Sequence, residues 1–375
     1  MIFGVPKEIK NSETRVGLLP ADCKELIELG SEVLIESGAG ELCGHPDSEY
    51  IEAGCKMVPT LEDIYAKSDM VIGIKELEEK HLKLLREGLI IATCLHSNAH
   101  PEEVDALLKN KVTGIAYEDI LLDDGRAPVL MSQSPAAGAG AVIMAGYFMS
   151  YAGGGPGIML AKLNGCPVAN VLILGCGQSG TAAAQVAAGM GANVTMMDID
   201  TDKMARTRSM VPSNVEFVFS SKDNIERYLE KTDLLLNCIN WPKTRKDHIV
   251  TREMLQKHAK KTLFVCDVAC DEFGALETCI KSTSHTDPLY ELDGIRYYTV
   301  DNIPAAFGRT VCQSFTYPIM PYIKEIAKKG VVQALKDNKP LRRALTSYNG
   351  MLTLEETAIK QGREYTPSEV ALGMK

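Results

Sequence analysis

Val171-Leu172-Ile173-Leu174-Gly175-Cys176-Gly177-Gln178-Ser179-Gly180 is the stretch that decides the fold of this chain. Four apolar residues run directly into a Gly-x-Gly-x-x-Gly turn, and the turn leads into the small residues Thr181-Ala182-Ala183-Ala184-Gln185. A buried strand, a glycine turn and a helix in this order form the phosphate-binding part of a dinucleotide site. Gly175 permits the tight turn, Gly177 lets the backbone approach a pyrophosphate, and Gly180 lets the helix pack close to the strand.

An acidic residue stands where such a site needs one. The next apolar run, 193–197, ends in Asp198, which lies 18 residues beyond Gly180. A carboxylate at this position accepts hydrogen bonds from the ribose hydroxyls and repels a 2′-phosphate. Gln178 and Ser179 begin the following helix, whose positive end attracts the phosphates. We therefore predict a site for NAD in preference to NADP.

Size and composition are those of a globular protein with two domains. The chain has 375 residues, of which 45% are hydrophobic and 24% charged, while domains usually contain about 100 to 200 residues. The net charge of −9 argues against a nucleic-acid partner, because phosphate recognition needs clustered lysines and arginines. No unbroken apolar run reaches the roughly 18 residues that span a bilayer, and the first residues lack a secretion-signal pattern. We expect no membrane partner.

The cysteines and histidines indicate neither disulfides nor a metal site. Eleven cysteines are present, an odd number without any Cys-x-x-Cys pair, and the seven histidines add no zinc-type spacing. In a chain of this length such cysteines behave as small buried hydrophobic residues in a reducing compartment. We therefore predict a cytoplasmic protein that binds no metal.

Apolar runs of about four or five residues alternate with amphipathic stretches along most of the sequence. The runs are continuous, as in parallel strands that are covered on both faces. Helix-like segments between them include residues 101–110, 180–189 and 252–260. This alternation predicts a doubly wound α/β fold. The runs are 70–74, 89–92, 171–174, 194–197, 234–236 and 263–265.

The strand rhythm stops after Pro304, and helical patterns run from there to the end. We predict a helix over 311–328 that is bent or broken near Pro318 and Pro321. A chain that leaves one domain, builds a second and returns gives two Rossmann-like domains separated by a cleft, where small ligands usually bind. The predicted domains are a substrate domain of residues 1–130 and 305–375 and an NAD-binding domain of residues 131–304.

Four polar residues are candidates for the chemistry. Lys75 and His96 each follow an apolar strand, and strand ends face the ligand crevice in such folds. The imidazole of His96 titrates near neutrality, which suits proton transfer. Arg15 offers a cation for a carboxylate, and Asp271 closes another apolar strand. Taken singly, each of these residues also has a simpler interpretation. Arg15 and Lys75 could be solvated surface side chains, and His96 could be a structural histidine. Either Asp271 or Asp267 could be a loop cap.

At these residues a family resemblance becomes visible. The opening Gly4-Val5-Pro6-Lys7-Glu8-Ile9-Lys10 and the segment Glu13-Thr14-Arg15-Val16 are similar to the start of the alanine dehydrogenase/pyridine nucleotide transhydrogenase family. Near the other end, Asn338, Arg342 and Tyr348-Asn349-Gly350 follow the alanine dehydrogenase pattern. The sequence resembles this family over nearly its full length.

The resemblance implies a role for each matched residue. Arg15 would bind the substrate carboxylate, and Lys75 would bind the oxo group and take part in catalysis. His96 is implied as the acid and base, and Asp271 as the catalytic aspartate. Asn302 matches an asparagine near the nicotinamide, on the substrate side. The implied cofactor residues are Ser134, Gly175, Gly177, Gln178, Ser179, Gly180, Asp198 and Ile239.

The implied activity is that of an NAD-dependent oxidoreductase acting on a CH–NH₂ group. The resemblance favours oxidative deamination of L-alanine to pyruvate and ammonia, with a small 2-oxo acid or amino acid as the substrate. It also implies a homo-oligomer, which is a hexamer among alanine dehydrogenases.

One segment departs from this pattern and keeps an alternative open. Asn237-Cys238-Ile239-Asn240-Trp241 resembles the lysine–oxoglutarate reductases, which are opine-type enzymes that join an oxo acid to an amino-acid amine. Asp301, Glu76 and Glu118 would add negative charge that suits the ammonium group of a larger amine donor, although Asp301 fits equally well as a cap before Pro304. An opine- or saccharopine-type reductase is therefore the alternative, and a non-catalytic NAD-binding subunit is a third hypothesis.

Overall fold

The computed structural model describes residues 1–242 and 245–374. The chain divides into two compact units: unit 1 comprises Met1–Gln133 with Phe307–Lys375, and unit 2 comprises Ser134–Ala306. The strands are β1 (Ile2–Val5), β2 (Glu32–Glu36), β3 (Lys56–Val58), β4 (Met70–Ile72), β5 (Ile90–Thr93), β6 (Thr113–Ala116), β7 (Asn170–Leu174), β8 (Asn193–Asp198), β9 (Glu216–Phe219), β10 (Leu234–Asn237), β11 (Phe264–Asp267), β12 (Leu289–Leu292), β13 (Ile295–Tyr298), β14 (Leu345–Tyr348) and β15 (Met351–Leu352).

The α-helices are α1 (Pro20–Glu28), α2 (Asp47–Glu52), α3 (Leu61–Lys67), α4 (Glu79–Leu82), α5 (Pro101–Lys109), α6 (Pro128–Met149), α7 (Gln178–Met190), α8 (Thr201–Arg208), α9 (Lys222–Leu229), α10 (Arg252–His258), α11 (Gly308–Lys329), α12 (Val331–Asp337), α13 (Lys339–Arg343), α14 (Glu355–Gln361) and α15 (Ser368–Ala371). Short 3-10 helices cover Glu41–Cys43, Ser97–Ala99, Tyr117–Asp119 and Ile303–Phe307.

Unit 1 is built on a sheet of strand order β15-β14-β6-β5-β4-β1-β2-β3. The strands from β3 to β6 are all parallel, and helices connect them. Counted along the chain, these six strands have the spatial order 3-2-1-4-5-6, which is that of the doubly wound dinucleotide-binding fold. The switch point of this order lies between β1 and β4.

Unit 2 repeats this order with its own six parallel strands. Its sheet runs β12-β13-β11-β10-β7-β8-β9, with β12 antiparallel to β13 and every other pair parallel. The switch point lies between β7 and β10, whose carboxyl ends therefore border a ligand crevice. The α/β class and the two doubly wound domains expected from the sequence are confirmed.

The continuous apolar runs are explained by the two covered faces of each sheet. In β7, Val171 and Ile173 belong to one hydrophobic cluster, whereas Leu172 and Leu174 belong to another. Because successive side chains of a strand point to opposite faces, a strand with helices on both sides needs apolar residues at every position.

Strands return after Pro304, contrary to the sequence-based expectation. β14 pairs with β6 and with β15, antiparallel in both cases, at one edge of the unit 1 sheet. A side-chain hydroxyl group adds hydrogen bonds at this edge: Ser347 Oγ donates to Val112 O at 2.9 Å and accepts from Gly114 N at 3.1 Å. A run as short and polar as Leu345–Tyr348 carries too little apolar periodicity to be recognised.

The helix expected to bend or break near Pro318 and Pro321 is not broken there, and the bend stays a prediction. α11 runs as one helix over Gly308–Lys329 with both prolines inside it. Its buried residues Phe315 and Ile319 pack in the hydrophobic core of unit 1. Tertiary packing of this face compensates for the backbone hydrogen bonds that the two prolines remove.

Within the described ranges, α6 is the one helix long and apolar enough to be a candidate membrane span. It has 22 residues, and 33% of its most apolar window is buried. α6 contains no unbroken apolar run of this length, because Ser132, Gln133 and Ser134 interrupt its apolar residues. Length and composition alone are weak evidence, since core helices meet the same criteria.

Candidate nucleotide and substrate sites

The glycine turn has the geometry that a pyrophosphate needs. Gly175 has a φ of 99°, which L-residues with side chains rarely adopt. A Cβ atom on Gly180 would stand 2.0 Å from the carbonyl oxygen of Gly175, so only glycine permits this contact. A Cβ atom on Gly177 would meet no atom within 4 Å, so the backbone here is open to a ligand. Gly177 also precedes the first turn of α7, a helix of 13 residues whose N–H groups attract anions.

One cavity of about 850 Å³ in unit 2 joins most of the predicted cofactor residues. Gly180 is the exception, because it packs beneath the turn and does not line the cavity. The predicted residues in the wall are Ser134, Gly175, Gly177, Gln178, Ser179, Asp198 and Ile239.

Asp198 is held as a carboxylate at the end of β8. Its Oδ2 accepts from Cys176 N at 2.8 Å, and its Oδ1 accepts from Asp200 N at 3.1 Å. The Lys203 ammonium lies 3.2 Å from Oδ2. Burial opposes ionisation, but these two N–H groups and Lys203 lower the pKa of Asp198. The group is therefore charged and fixed beside the glycine turn, as an acceptor for ribose hydroxyls must be.

The end of β11 separates the roles of two aspartates. Asp267 Oδ1 accepts from Asn237 Nδ2 at 2.8 Å and from the backbone N–H groups of Ala269 and Cys270, both at 3.1 Å. Asp267 is 1% exposed, and burial raises its pKa to about 6. Asp267 is thus the loop cap of this segment. Asp271 is half-buried and follows Cys270, which has a positive φ of 54°.

Neither Asp271 nor Asn302 lines the 850 Å³ cavity. Asn302 is buried in unit 2, and its carbonyl oxygen accepts from His285 Nε2 at 2.8 Å and from Ala305 N at 3.0 Å. Asp301 is exposed beside it. These residues follow β11 and β13, at the carboxyl side of the sheet.

In unit 1, Arg15 is buried and clamped by a neighbouring carboxylate. Glu13 binds it in a bidentate manner, with Nε to Oε1 at 2.8 Å and Nη2 to Oε2 at 2.6 Å. Gln133 Oε1 accepts from Arg15 Nη1 at 3.0 Å. Arg15 is 5% exposed, and its guanidinium cannot rotate without breaking the pair, so it presents a fixed cation. Sequence reasoning did not identify Glu13 or Gln133 as part of this site.

Lys75 lies after β4, within a dense group of charges. Lys10 Nζ is 2.5 Å and Lys75 Nζ is 3.7 Å from the Glu76 carboxylate. Burial opposes the ionisation of Glu76, but the two ammonium groups lower its pKa to about 2. Glu8, after β1, accepts from Ile74 N at 2.6 Å; burial and then Glu13 raise its pKa to about 8. The ends of β1 and β4 therefore meet at the switch point of this sheet.

His96 lies after β5 in a left-handed backbone conformation, with a φ of 49°. Glu118, after β6, accepts from His96 N at 2.5 Å, and its Oε1 is 3.7 Å from His96 Nδ1. Partial desolvation and the charge of Lys75 lower the pKa of His96 to about 4. Burial and then Asp119 raise the pKa of Glu118 to about 7. The imidazole is therefore neutral at physiological pH.

The structure thus collects Arg15, Lys75 and His96 at one edge of the unit 1 sheet. The charges of Arg15 and Lys75 both act on Glu8, and that of Lys75 acts on His96. No group of three or more potential metal ligands is present among the described residues. All eleven cysteines are free thiols.

These features define a dinucleotide-binding α/β protein that also carries a cluster of cations and an imidazole. The profile of the family described as alanine dehydrogenase/PNT matches the chain twice, with its N-terminal domain at residues 4–137 and its C-terminal domain at residues 141–355.

Similar proteins cover almost the whole chain. The alanine dehydrogenase of Methanococcus maripaludis is 37% identical over 99% of this chain and 100% of its own length. The Bacillus subtilis alanine dehydrogenase is 38% identical over 99% of this chain and 98% of its own length. A solved L-alanine dehydrogenase superposes with a TM-score of 0.91 and 33% identity over 96% and 99% of the two chains. The chain belongs to the alanine dehydrogenase/PNT family.

Proposed function

We propose that this protein is an NAD-dependent L-alanine dehydrogenase, which converts L-alanine, NAD⁺ and water to pyruvate, ammonium, NADH and a proton. One observation carries the proposal: a single chain holds two sets of functional groups. The first is an open glycine turn beside a fixed carboxylate that can bind ribose, and the second is a buried arginine, a lysine and a neutral histidine. The similarity to alanine dehydrogenases over the full length supports the choice of substrate.

The nucleotide cavity fits NAD. Gly177 and the start of α7 would hold the pyrophosphate, and Asp198 the adenosine ribose. NAD supplies the hydride acceptor at its nicotinamide. The negative charge of Asp198 disfavours a 2′-phosphate, so we expect a preference for NAD over NADP.

The residues of unit 1 would bind and activate the substrate. Arg15 would pair with the substrate carboxylate, and Lys75 would donate a hydrogen bond to the oxygen at C2. His96, neutral before substrate binds, would take a proton from the attacking water and return it in the reverse direction. Asp271 is the second proton carrier that the family resemblance suggests, and Asn302 would contact the substrate side of the nicotinamide.

A homo-oligomer is part of the proposal. Unit 2 exposes several large apolar side chains on and after α6: Ile143 is 48% exposed, Tyr147 54% and Tyr151 88%. Apolar side chains clustered on a surface are typical of contacts between subunits. We expect a cytoplasmic enzyme, as the free thiols indicate.

An opine-type reductase is the second candidate, and the carboxylates of unit 1 favour it. Glu76 Oε2 and Glu118 Oε2 are buried without a hydrogen-bond partner in the described part of the chain, and the Lys75 ammonium lies 3.7 Å from Glu76 Oε2. Two such oxygens would suit the ammonium group of an amino-acid donor.

Initial rates of NADH oxidation decide between the two. Pyruvate and 2-oxoglutarate are each offered with ammonia, lysine or ornithine. Turnover of pyruvate with ammonia supports the alanine dehydrogenase. A strict requirement for lysine or ornithine would replace it with the opine-type reductase. An enzyme that oxidises NADH with neither amine would refute both.

A further inference from the structure

Trp241, the single tryptophan of the chain, lies in the wall of the nucleotide cavity. It is 6% exposed and follows Ile239 by two residues. Ile239 packs on the glycine turn, since a Cβ atom on Gly175 would lie 3.1 Å from Ile239 Cγ1. The wall that begins at the turn therefore continues to the indole ring.

The indole ring is held in place by Arg245. The guanidinium carbon lies 4.1 Å from the Trp241 ring centroid, and Arg245 Nε donates to Asp247 Oδ1 at 2.8 Å. A cation over an aromatic face is attracted by the ring quadrupole and limits rotation of the ring. Trp241 is thus pre-oriented before a ligand arrives.

Trp241 Nε1 is a buried donor for which residues 1–242 and 245–374 provide no acceptor. Buried indole N–H groups usually have a hydrogen-bond partner. The apolar side chains of Ile225, Ile249 and Met254 line the same cavity as Trp241. These apolar side chains suit the face of a flat base, and the Trp241 donor suits an acceptor nitrogen in its ring.

We propose that Trp241 recognises the adenine of NAD, with its ring packed on the base and its Nε1–H directed to a ring nitrogen. Adenine fits better than nicotinamide, because Asp198, the acid that binds the adenosine ribose, lines the same cavity. The inference rests on the NAD dependence of the proposed function, and not on alanine as substrate.

Because the chain has one tryptophan, the tryptophan emission, excited at a wavelength that tyrosine does not absorb, reports on this site alone. The full-length protein is titrated with ADP-ribose and separately with nicotinamide mononucleotide, and calorimetry measures binding in parallel. We expect ADP-ribose to quench the emission with the same midpoint as the calorimetric titration, and the mononucleotide to leave it unchanged. Calorimetric binding of ADP-ribose without any change in emission would overturn the assignment, as would quenching by the mononucleotide alone.

Substitution separates recognition from structure. Trp241→Leu should weaken ADP-ribose binding about tenfold, the size expected for a lost base–aromatic contact, and Trp241→Phe should weaken it less. Phe217→Leu is the matched control, since Phe217 is another unit 2 aromatic ring with an arginine carbon, that of Arg208, 4.7 Å from its centroid. Equal losses in Trp241→Leu and Phe217→Leu would reduce Trp241 to a structural residue.

The outcomes also distinguish this inference from the proposed function. Quenching by ADP-ribose in a protein that does not turn over alanine refutes the proposed function and supports the role of Trp241. Alanine turnover with unchanged Trp241 emission refutes the role of Trp241 only. A protein that binds no ADP-ribose refutes both.

Discussion

The two units share one strand order but carry different chemistry at their switch points. In unit 2 the strand β7 leads into three glycines, and the backbone is left open for phosphates. In unit 1 the corresponding strand β1 leads into Pro6, Lys7 and Glu8, and charged side chains occupy the crevice. The charged carboxylate of Glu76 repels a phosphate, whereas Lys75 and Arg15 attract one small carboxylate. The same topology therefore serves a nucleotide in one unit and an acid in the other.

The largest effect on activity is expected from removing the Lys75 ammonium, one of the two cations of the unit 1 site. Lys75→Met should lower kcat/KM for alanine about thousandfold, since the donor to the substrate oxygen is lost. Nucleotide affinity measured by calorimetry should not change, because the cavity belongs to unit 2. Lys80→Met, at an exposed lysine of unit 1, is the control. A tenfold loss of NAD affinity in Lys75→Met would contradict the assignment of nucleotide binding to unit 2 alone.

A pair of glycine substitutions tests the unit 2 turn. Gly177→Ala should weaken NAD binding about tenfold or more, because a methyl group would stand where the pyrophosphate approaches, while the melting temperature stays unchanged. Gly180→Ala should instead lower the free energy of unfolding by about 1–3 kcal/mol, as its Cβ meets Gly175 O at 2.0 Å. Calorimetry and urea unfolding measure the two effects. Unchanged NAD affinity in Gly177→Ala would contradict the proposed binding mode.

Asp198 is expected to set the choice of nucleotide. Asp198→Ala should reduce the preference for NADH over NADPH about tenfold, since the repulsion of a 2′-phosphate disappears and Lys203 loses its partner. Ratios of kcat/KM for the two nucleotides measure the change, with Asp200→Ala as the neighbouring control. Equal use of both nucleotides by the unmodified enzyme would refute the assignment.

The last expected effect is a pH-dependent change in stability at Glu118, which leaves the two binding sites out of the measurement. Its folded-state pKa of about 7 lies above the ordinary value of 4.5, so the folded state binds more protons between these values. Stability is then lost as pH rises from about 4.5 to 7. The measured quantity is the free energy of unfolding of Glu118→Gln minus that of the unmodified protein. This difference should be more positive at pH 8 than at pH 5, by at most about 3 kcal/mol. Urea unfolding at both values measures it, and a difference of the opposite sign would exclude a raised pKa.

Much of the fold was predictable because its signals are local. The apolar runs, the glycine turn and the segments of α5, α7 and α10 depend on residues close together in the chain, and these predictions agree with the structure. The family resemblance was confirmed as well. β14 escaped prediction because its stability comes from pairing with β6, more than 200 residues earlier.

The sequence by itself determined the doubly wound fold, the glycine turn and the residue types available for chemistry, since strand and turn preferences act over a few residues. Only the tertiary structure decided what those residues experience. It made Asp267 a buried cap, clamped Arg15 with Glu13, and set the pKa of His96 near 4 and that of Glu118 near 7. Burial and charge–charge interactions depend on distances in space, and residues far apart in the chain determine those distances.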